Sequence, residues 1–327
     1  MIWQYILIFI ISALALFYSS SRIVAILMAM AKYLGLREFV LGFFIMAFAS
    51  SLPNLMIGLN SAFQKIPQLS FGDIIGGNVV DLTLVLALAV FFSRNAVPAH
   101  SKMVQKSAIF CAVIAVLPII LIYDGVLSRE DGMILILSFF VYALWLFAKK
   151  ERFSKEYKIT GKEKKSLNVF TFFTSVFKFV FFLIILFLAT EGIIFSVKEF
   201  SVLLSVSIPV IGLLVVGLAN SMPEAYFSII SARRGQNWMI LGNLMGSVIV
   251  CATLILGIVA LIYPIKIDNF SVFALARVFL IIAAILFYIF VKTGQKITKL
   301  EALFLLLVYF LFLASEIKLI DFSGFFV

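Results

Sequence analysis

Ten uninterrupted apolar runs, each about as long as a bilayer crossing, occupy most of this 327-residue chain. Bounded by charges, Pro or Gly, they lie at 2–19 (with a continuation toward 34), 38–64, 71–92, 104–123, 129–148, 171–195, 206–232, 238–262, 270–291 and 299–317. A hydrocarbon layer roughly 30 Å thick takes about 20 helical residues to cross. Within it each segment must satisfy its own backbone hydrogen bonds, which leaves helices or closed barrels. The runs are continuous and do not alternate with period 2, so barrel strands are excluded. Composition agrees, since 64% hydrophobic residues exceed what the core of a soluble domain hides. The first run lacks the basic leader and small-residue cleavage site of a signal peptide, so it is expected to be retained. Cys111 and Cys251 both fall inside apolar runs, which gives neither a disulfide framework nor a paired-thiol metal motif.

The formal charge of +10 does not point to nucleic acid, because the basic residues gather between apolar blocks, where they carry topology. Residues 149–168 hold eight Lys/Arg and divide the chain nearly in half. With that loop placed in the cytoplasm, ten crossings put 19 Lys/Arg inside and 5 outside, with Lys178 and Arg277 within spans. One helix more or fewer would scramble the split. The expectation is a multi-pass protein of the cell membrane with both termini outside. Contact between the basic loop and anionic lipid is the alternative to a plain solvated linker.

Sliding the chain over itself by 170 residues aligns Val40–Leu86 with Val210–Leu256 without a gap. The informative matches are Gly42/Gly212, Ser51/Ser221, Pro53/Pro223, Ser61/Ser231, Gly72/Gly242, Gly76/Gly246 and Thr83/Thr253. Five crossings per half is an odd number, so the second copy enters from the opposite side and the repeat is inverted. The expected architecture is an all-α membrane protein of ten transmembrane helices in two inverted five-helix repeats. Its parts are residues 1–148 (core motif 40–92), a basic linker 149–170, and 171–327 (core motif 206–262).

Each core motif interrupts its apolar helix twice, with Ser51-Leu52-Pro53 or Ser221-Met222-Pro223, then with a glycine step at 72–78 or 242–247. Proline supplies no N–H to the carbonyl four residues earlier, here Ala49 and Ala219. At membrane depth those carbonyls need protein, water or a cation. Polar side chains collect at the same breaks: Ser50, Ser51, Asn54, Asn78 and Asp81 in the first repeat, Asn220, Ser221, Glu224, Asn243 and Ser247 in the second. Carboxylate, amide, hydroxyl and carbonyl oxygens together suit hard cations such as Ca²⁺ and Na⁺. Asp81 and Glu224 sit at midspan, where a charge costs roughly 3 kcal/mol on insertion scales. The competing reading makes the two acids interhelical hydrogen bonders and the hydroxyls and amides helix-packing glue.

These motifs resemble the two α-repeats of the cation/calcium exchangers, which include the sodium/calcium exchangers and read approximately G-T-S-x-P-E and G-N-x-x-G-S-N-x-x-N/D. The second repeat keeps Ser221, Pro223, Glu224, Gly242, Asn243, Gly246 and Ser247; the first keeps Ser51, Pro53, Gly72, Gly76 and Asn78. The resemblance implies ten helices and antiport of Ca²⁺ against Na⁺, H⁺ or K⁺, with ligands on helices 2, 3, 7 and 8 and with helices 1 and 6 moving across that core. The chain departs from the pattern at Asn54, Gly77, Asp81 and Cys251. The candidate cation ligands are Asp81, Glu224, Asn54, Ser51, Ser221, Ser247, Ser50, Asn78 and Asn220.

A Cys251 thiolate near Met222 and Met245 would favour a softer metal, against a plain packing role for that small side chain. Glu191 is a secondary candidate, as a gate or a packing partner. An intramembrane enzyme finds little support: His100 is the only histidine and lies in a loop, no H-E-x-x-H or G-x-S-x-G occurs, and Asp73 and Asp124 fall near expected span ends. No cofactor is expected, and the partners are inorganic cations and the lipid bilayer, the chain acting as a monomer. A channel, an antiporter for another cation and a non-transporting homologue are the alternatives.

Overall fold

The computed structural model describes residues 2–33, 45–148, 169–267 and 273–323. The chain opens with the long helix α1 (Ile2–Tyr33), so the first apolar run does continue past residue 19. The second run is helical on both sides of Ser51, as α2 (Met46–Ser50) and α3 (Leu52–Phe63), and its beginning lies outside the described residues. The third comprises α4 (Gln68–Val80), a π-helical turn Asp81–Val85 and α5 (Leu86–Phe92), followed by the two-residue strand β1 (Val97–Pro98) and α6 (Lys102–Leu121). Strand β2 (Val126–Leu127) and α7 (Arg129–Ala148) end the first half.

The second half begins with α8 (Val169–Leu204), so residues 169–170, assigned above to the linker, are helical; the rest of that linker lies outside the described residues. Then come α9 (Ile208–Ile211), a π turn Gly212–Val216, α10 (Gly217–Asn220) and α11 (Met222–Arg233) as one interrupted span. The next is α12 (Asn237–Val250), a π turn Cys251–Ile255 and α13 (Leu256–Ile262), then strand β3 (Ile265–Lys266). Helix α14 (Ala274–Lys292), strand β4 (Lys296–Ile297) and α15 (Lys299–Ser323) complete the chain. Among the described residues nine helical spans are long and apolar enough to cross a membrane, and 45–63 supplies the visible part of the tenth.

Two short strand pairs test both the span count and the inversion. Val97 and Pro98 pair with Ile297 and Lys296, and Val126 and Leu127 pair with Lys266 and Ile265, both antiparallel. Paired strands lie at one end of the bundle, so an even number of crossings must separate them. Six spans lie between β1 and β4, and four between β2 and β3. Strands β2 and β4 are repeat mates, 170 residues apart, yet β4 pairs with β1, one crossing before β2. The mates therefore sit at opposite ends, which makes the repeat inverted.

The centre of the molecule is built from the two glycine-bearing spans. The apolar stretches of Gln68–Phe92 and Met239–Ile262 are 83% and 78% buried, against 56% or less for every other span among the described residues. Only helices surrounded by helices on all sides reach that value. Glycine allows the approach: a methyl group placed on Gly76 would lie 1.9 Å from the Leu213 carbonyl oxygen, and one on Gly72 would lie 2.3 Å from that of Pro209. From the facing span, Gly212 approaches the Leu69 carbonyl and Gly217 approaches the Gly77 backbone in the same manner.

Helices α1 and α8 pack on each other outside this centre, joined by the close approach of Gly192 to Ser12 and by ring contacts such as Tyr5 with Phe195. Polar bonds tie α8 to the end of α3. Asn60 donates to the Thr190 hydroxyl at 2.7 Å, Gln64 Nε2 donates to Glu191 at 2.9 Å, and Lys198 donates to Gln64 Oε1 at 2.6 Å. Glu191 is thus a packing partner across a helix interface.

Candidate functional site

Both proline-containing spans break at the serine. Ser51 (φ −83°, ψ 0°) ends one helix and starts the next, and Ser221 (φ −76°, ψ −4°) does the same. Pro53 and Pro223 then fall in the first turn of the following half-helix, where no backbone donor is needed. Each break therefore exposes the N-terminus of a half-helix in the protein interior, and Glu224 occupies such a first turn, where the helix dipole favours an anion. Opposite the breaks stand the π turns that begin at Asp81 and Cys251, again 170 residues apart. A π turn re-aims the side chains around it and is common at functional sites.

The polar side chains meet across this centre in pairs that follow the pseudo-symmetry. Ser50 Oγ donates to Asn243 Oδ1 at 3.3 Å, and its mate Asn220 donates through Nδ2 to both Asp73 oxygens at 2.9 Å. The Ser51 and Ser247 hydroxyls are 3.2 Å apart, while Ser221 Oγ donates to the carbonyl of Gly77, the position equivalent to 247, at 3.4 Å. Ser247 Oγ also donates to Glu224 Oε1 at 3.0 Å. Ser221 lies beside the Asp81 carboxyl and Asn54 beside Asp73, and Asp81 is within Coulombic reach of both Asp73 and Glu224.

Asp81, Glu224, Asn54, Ser50, Ser51, Ser221, Ser247, Asn78 and Asn220 are all buried among these helices. Three buried oxygens in the group have no hydrogen-bond partner among the described residues: Asp81 Oδ1, Glu224 Oε2 and Asn220 Oδ1. Acceptors without donors are costly in a dry interior, and a hard cation satisfies them. Among the described residues no three of His, Cys, Asp and Glu stand close enough to hold a metal by themselves. Any cation here is therefore shared between carboxylates and neutral oxygens. The softer-metal set does not assemble: Met222 is 53% exposed, turned away from the interior where Cys251 lies 4.0 Å from the Ser247 hydroxyl.

One expectation is overturned. Asp73, placed near a span end by its sequence position, has no exposed surface and bonds Asn220 within the site. Its helix starts earlier, at Gln68 after Pro67, and Gly72 brings it against the carbonyl of Pro209. The signal was present in the repeat, since Asp73 is the mate of Asn243. Gly77 invites a direct check, because a methyl group there meets nothing closer than Ser221 Oγ at 3.6 Å. Gly77→Ser, which restores the hydroxyl found at Ser247, is expected to melt within about 1 kcal/mol of the parent. A larger loss in detergent thermal unfolding would mean that α4 and the span 208–233 are closer than described.

A bundle with paired interrupted helices and buried carboxylate, amide and hydroxyl oxygens at its centre has the build of a membrane carrier of small cations. The family model for the sodium/calcium exchanger protein matches residues 4–148 and again 174–318, two segments separated by the same 170-residue shift. The chain belongs to the sodium/calcium exchanger protein family, as a multi-pass integral membrane cation antiporter and not an enzyme. It is 26% identical over 307 residues to an uncharacterized membrane protein of Methanocaldococcus jannaschii, covering 94% of this chain and 96% of that one. It is also 26% identical over 327 residues to the sodium/calcium exchanger MaX1 of Methanosarcina acetivorans, covering 86% and 90% of the two chains. Among solved structures, the sodium-calcium exchanger NCX_Mj soaked with Na⁺ and Sr²⁺ superposes with a TM-score of 0.67 at 25% identity, over 96% of this chain and 99% of that one.

Proposed function

We propose that the chain exchanges Ca²⁺ against Na⁺ or H⁺ through alternating access to a single midplane site. The observation that carries this reading is the trio of buried oxygens on Asp81, Glu224 and Asn220, contributed by both repeats, that have no hydrogen-bond partner among the described residues. Asp81 and Glu224 bind the cation directly and neutralise a divalent charge. Ser51, Asn54, Ser221 and Ser247 complete the shell, with Ser50, Asn78 and Asn220 behind or beside them. The Ala49 and Ala219 carbonyls, left without an i+4 donor by Pro53 and Pro223, supply further oxygen.

Inverted repeats give two packings of similar energy that open to opposite sides, which is what antiport requires. Helices α1 and α8 are the elements that move, since they pack on one another outside the buried centre. The two functional halves are residues 1–148 and 171–327, with the basic linker in the cytoplasm and both termini outside the cell membrane. Each monomer carries its own site.

The test is ⁴⁵Ca²⁺ uptake into proteoliposomes under imposed Na⁺, K⁺ or H⁺ gradients. Uptake should saturate with Ca²⁺ and require the opposing ion. Absence of gradient-driven Ca²⁺ uptake removes calcium as the substrate, and flux that neither saturates nor depends on the opposing ion replaces the antiporter with a channel.

A further inference from the structure

The cation shell proposed above leaves one buried acid of the centre without a part. Asp73 has no exposed surface, and its two oxygens accept from Asn220 Nδ2 at 2.9 Å while Asn54 lies against it. Among the described residues no Lys, Arg or His side chain hydrogen-bonds it. A carboxylate in a dry interior is poorly held by amides alone, and a cation in its compartment would offset that cost.

The internal repeat identifies its role. Positions 54 and 73 of the first repeat correspond to 224 and 243 of the second. Each pair carries one acid and one amide, but on opposite helices: Asn54 with Asp73, and Glu224 with Asn243. The contacts across the centre are mates as well, since Asn220 reaches Asp73 where Ser50 reaches Asn243. We infer that Asp73 supplies, from behind Asn220 and not as a direct ligand, the acid that residue 54 of the first repeat lacks. By taking the Asn220 NH₂ group it also fixes that amide so that Oδ1, which has no partner, remains as the acceptor for the cation. Outer groups that orient a ligand in this way are worth about 10- to 100-fold in metal affinity. The inference rests on the cation-antiport reading, and it raises the number of acids serving the site from two to three.

The experiment uses the full chain, purified in detergent, with Ca²⁺ binding followed by calorimetry and by the Ca²⁺-dependent rise in melting temperature. Asp73→Asn is expected to weaken binding about tenfold or more. The double variant Asn54→Glu/Asp73→Asn rebuilds in the first repeat the arrangement of the second and should recover most of that loss, which a merely structural role for Asp73 would not produce. Asp73→Asn binding Ca²⁺ like the parent overturns the inference. So does a folded double variant that binds no better than Asp73→Asn. Where Asp73→Asn fails to fold, the double variant decides: parental binding supports the inference, and weak binding by a folded protein overturns it. Failure of the underlying reading shows differently, because the parent itself then gives no cation-dependent signal and the role assigned to Asp73 falls with it.

Discussion

Replacing Glu224 with glutamine should reduce Ca²⁺ transport by on the order of a thousandfold while leaving the protein folded. The amide has the shape of the acid and can still accept from Ser247, which bonds Glu224 Oε1 at 3.0 Å. What it removes is charge. Two unit charges 4 Å apart interact by about 4 kcal/mol at an effective dielectric of 20, and each 1.4 kcal/mol is about tenfold. Glu224 is 1% exposed, so water does not make up the loss. In the absence of cation the variant should melt no lower than the parent, because an unpaired buried carboxylate is costly. The parent, by contrast, should gain about 2.7 kcal/mol at a Ca²⁺ concentration 100 times its dissociation constant, a gain that Glu224→Gln abolishes. Uptake and calcium-dependent melting that both match the parent would take Glu224 out of the site.

The second large effect is on assembly. Gly76→Ala should cost at least about 3 kcal/mol, at the upper end of overpacking penalties. Its methyl group would fall 1.9 Å from the Leu213 carbonyl oxygen and 2.7 Å from the carbonyl carbon, and backbone cannot rotate aside as a side chain can. Gly77→Ala is the matched control one residue along, with its nearest neighbour 3.6 Å away. Loss of monodisperse protein for the first and a parental melting curve for the second is the expected result. Equal behaviour of the two would contradict the packing of α4 against the span 208–233.

Spans, repeat register and inversion were all readable from the chain because each rests on a one-dimensional signal: apolar run length, the 170-residue self-match and an odd crossing count. The helix breaks were readable too, since Pro53 and Pro223 cannot continue a helix without a gap in bonding. Asp73 was not, because its part depends on how far inside the bundle α4 begins, and Gln68 and Pro67 are polar or helix-starting residues that pattern alone assigns to a loop. The length of α8 was also understated. Lys198 and Glu199 lie within α8 beyond residue 195, and a helix continues through such residues when neighbours take up their charge, as Gln64 does for Lys198.

That last feature reaches beyond the protein itself. At 1.5 Å per residue, the 32 residues of α1 and 36 of α8 extend about 48 and 54 Å, well beyond a hydrocarbon layer of roughly 30 Å. Upright, both would stand clear of the membrane, so the pair must lean, emerge at its ends, or do both. The central spans, enclosed on all sides, meet little lipid. Membrane thickness therefore acts on the leaning pair and hardly on the buried centre, and under the alternating access proposed above the surrounding bilayer becomes a setting that tunes how readily the two halves exchange their packing.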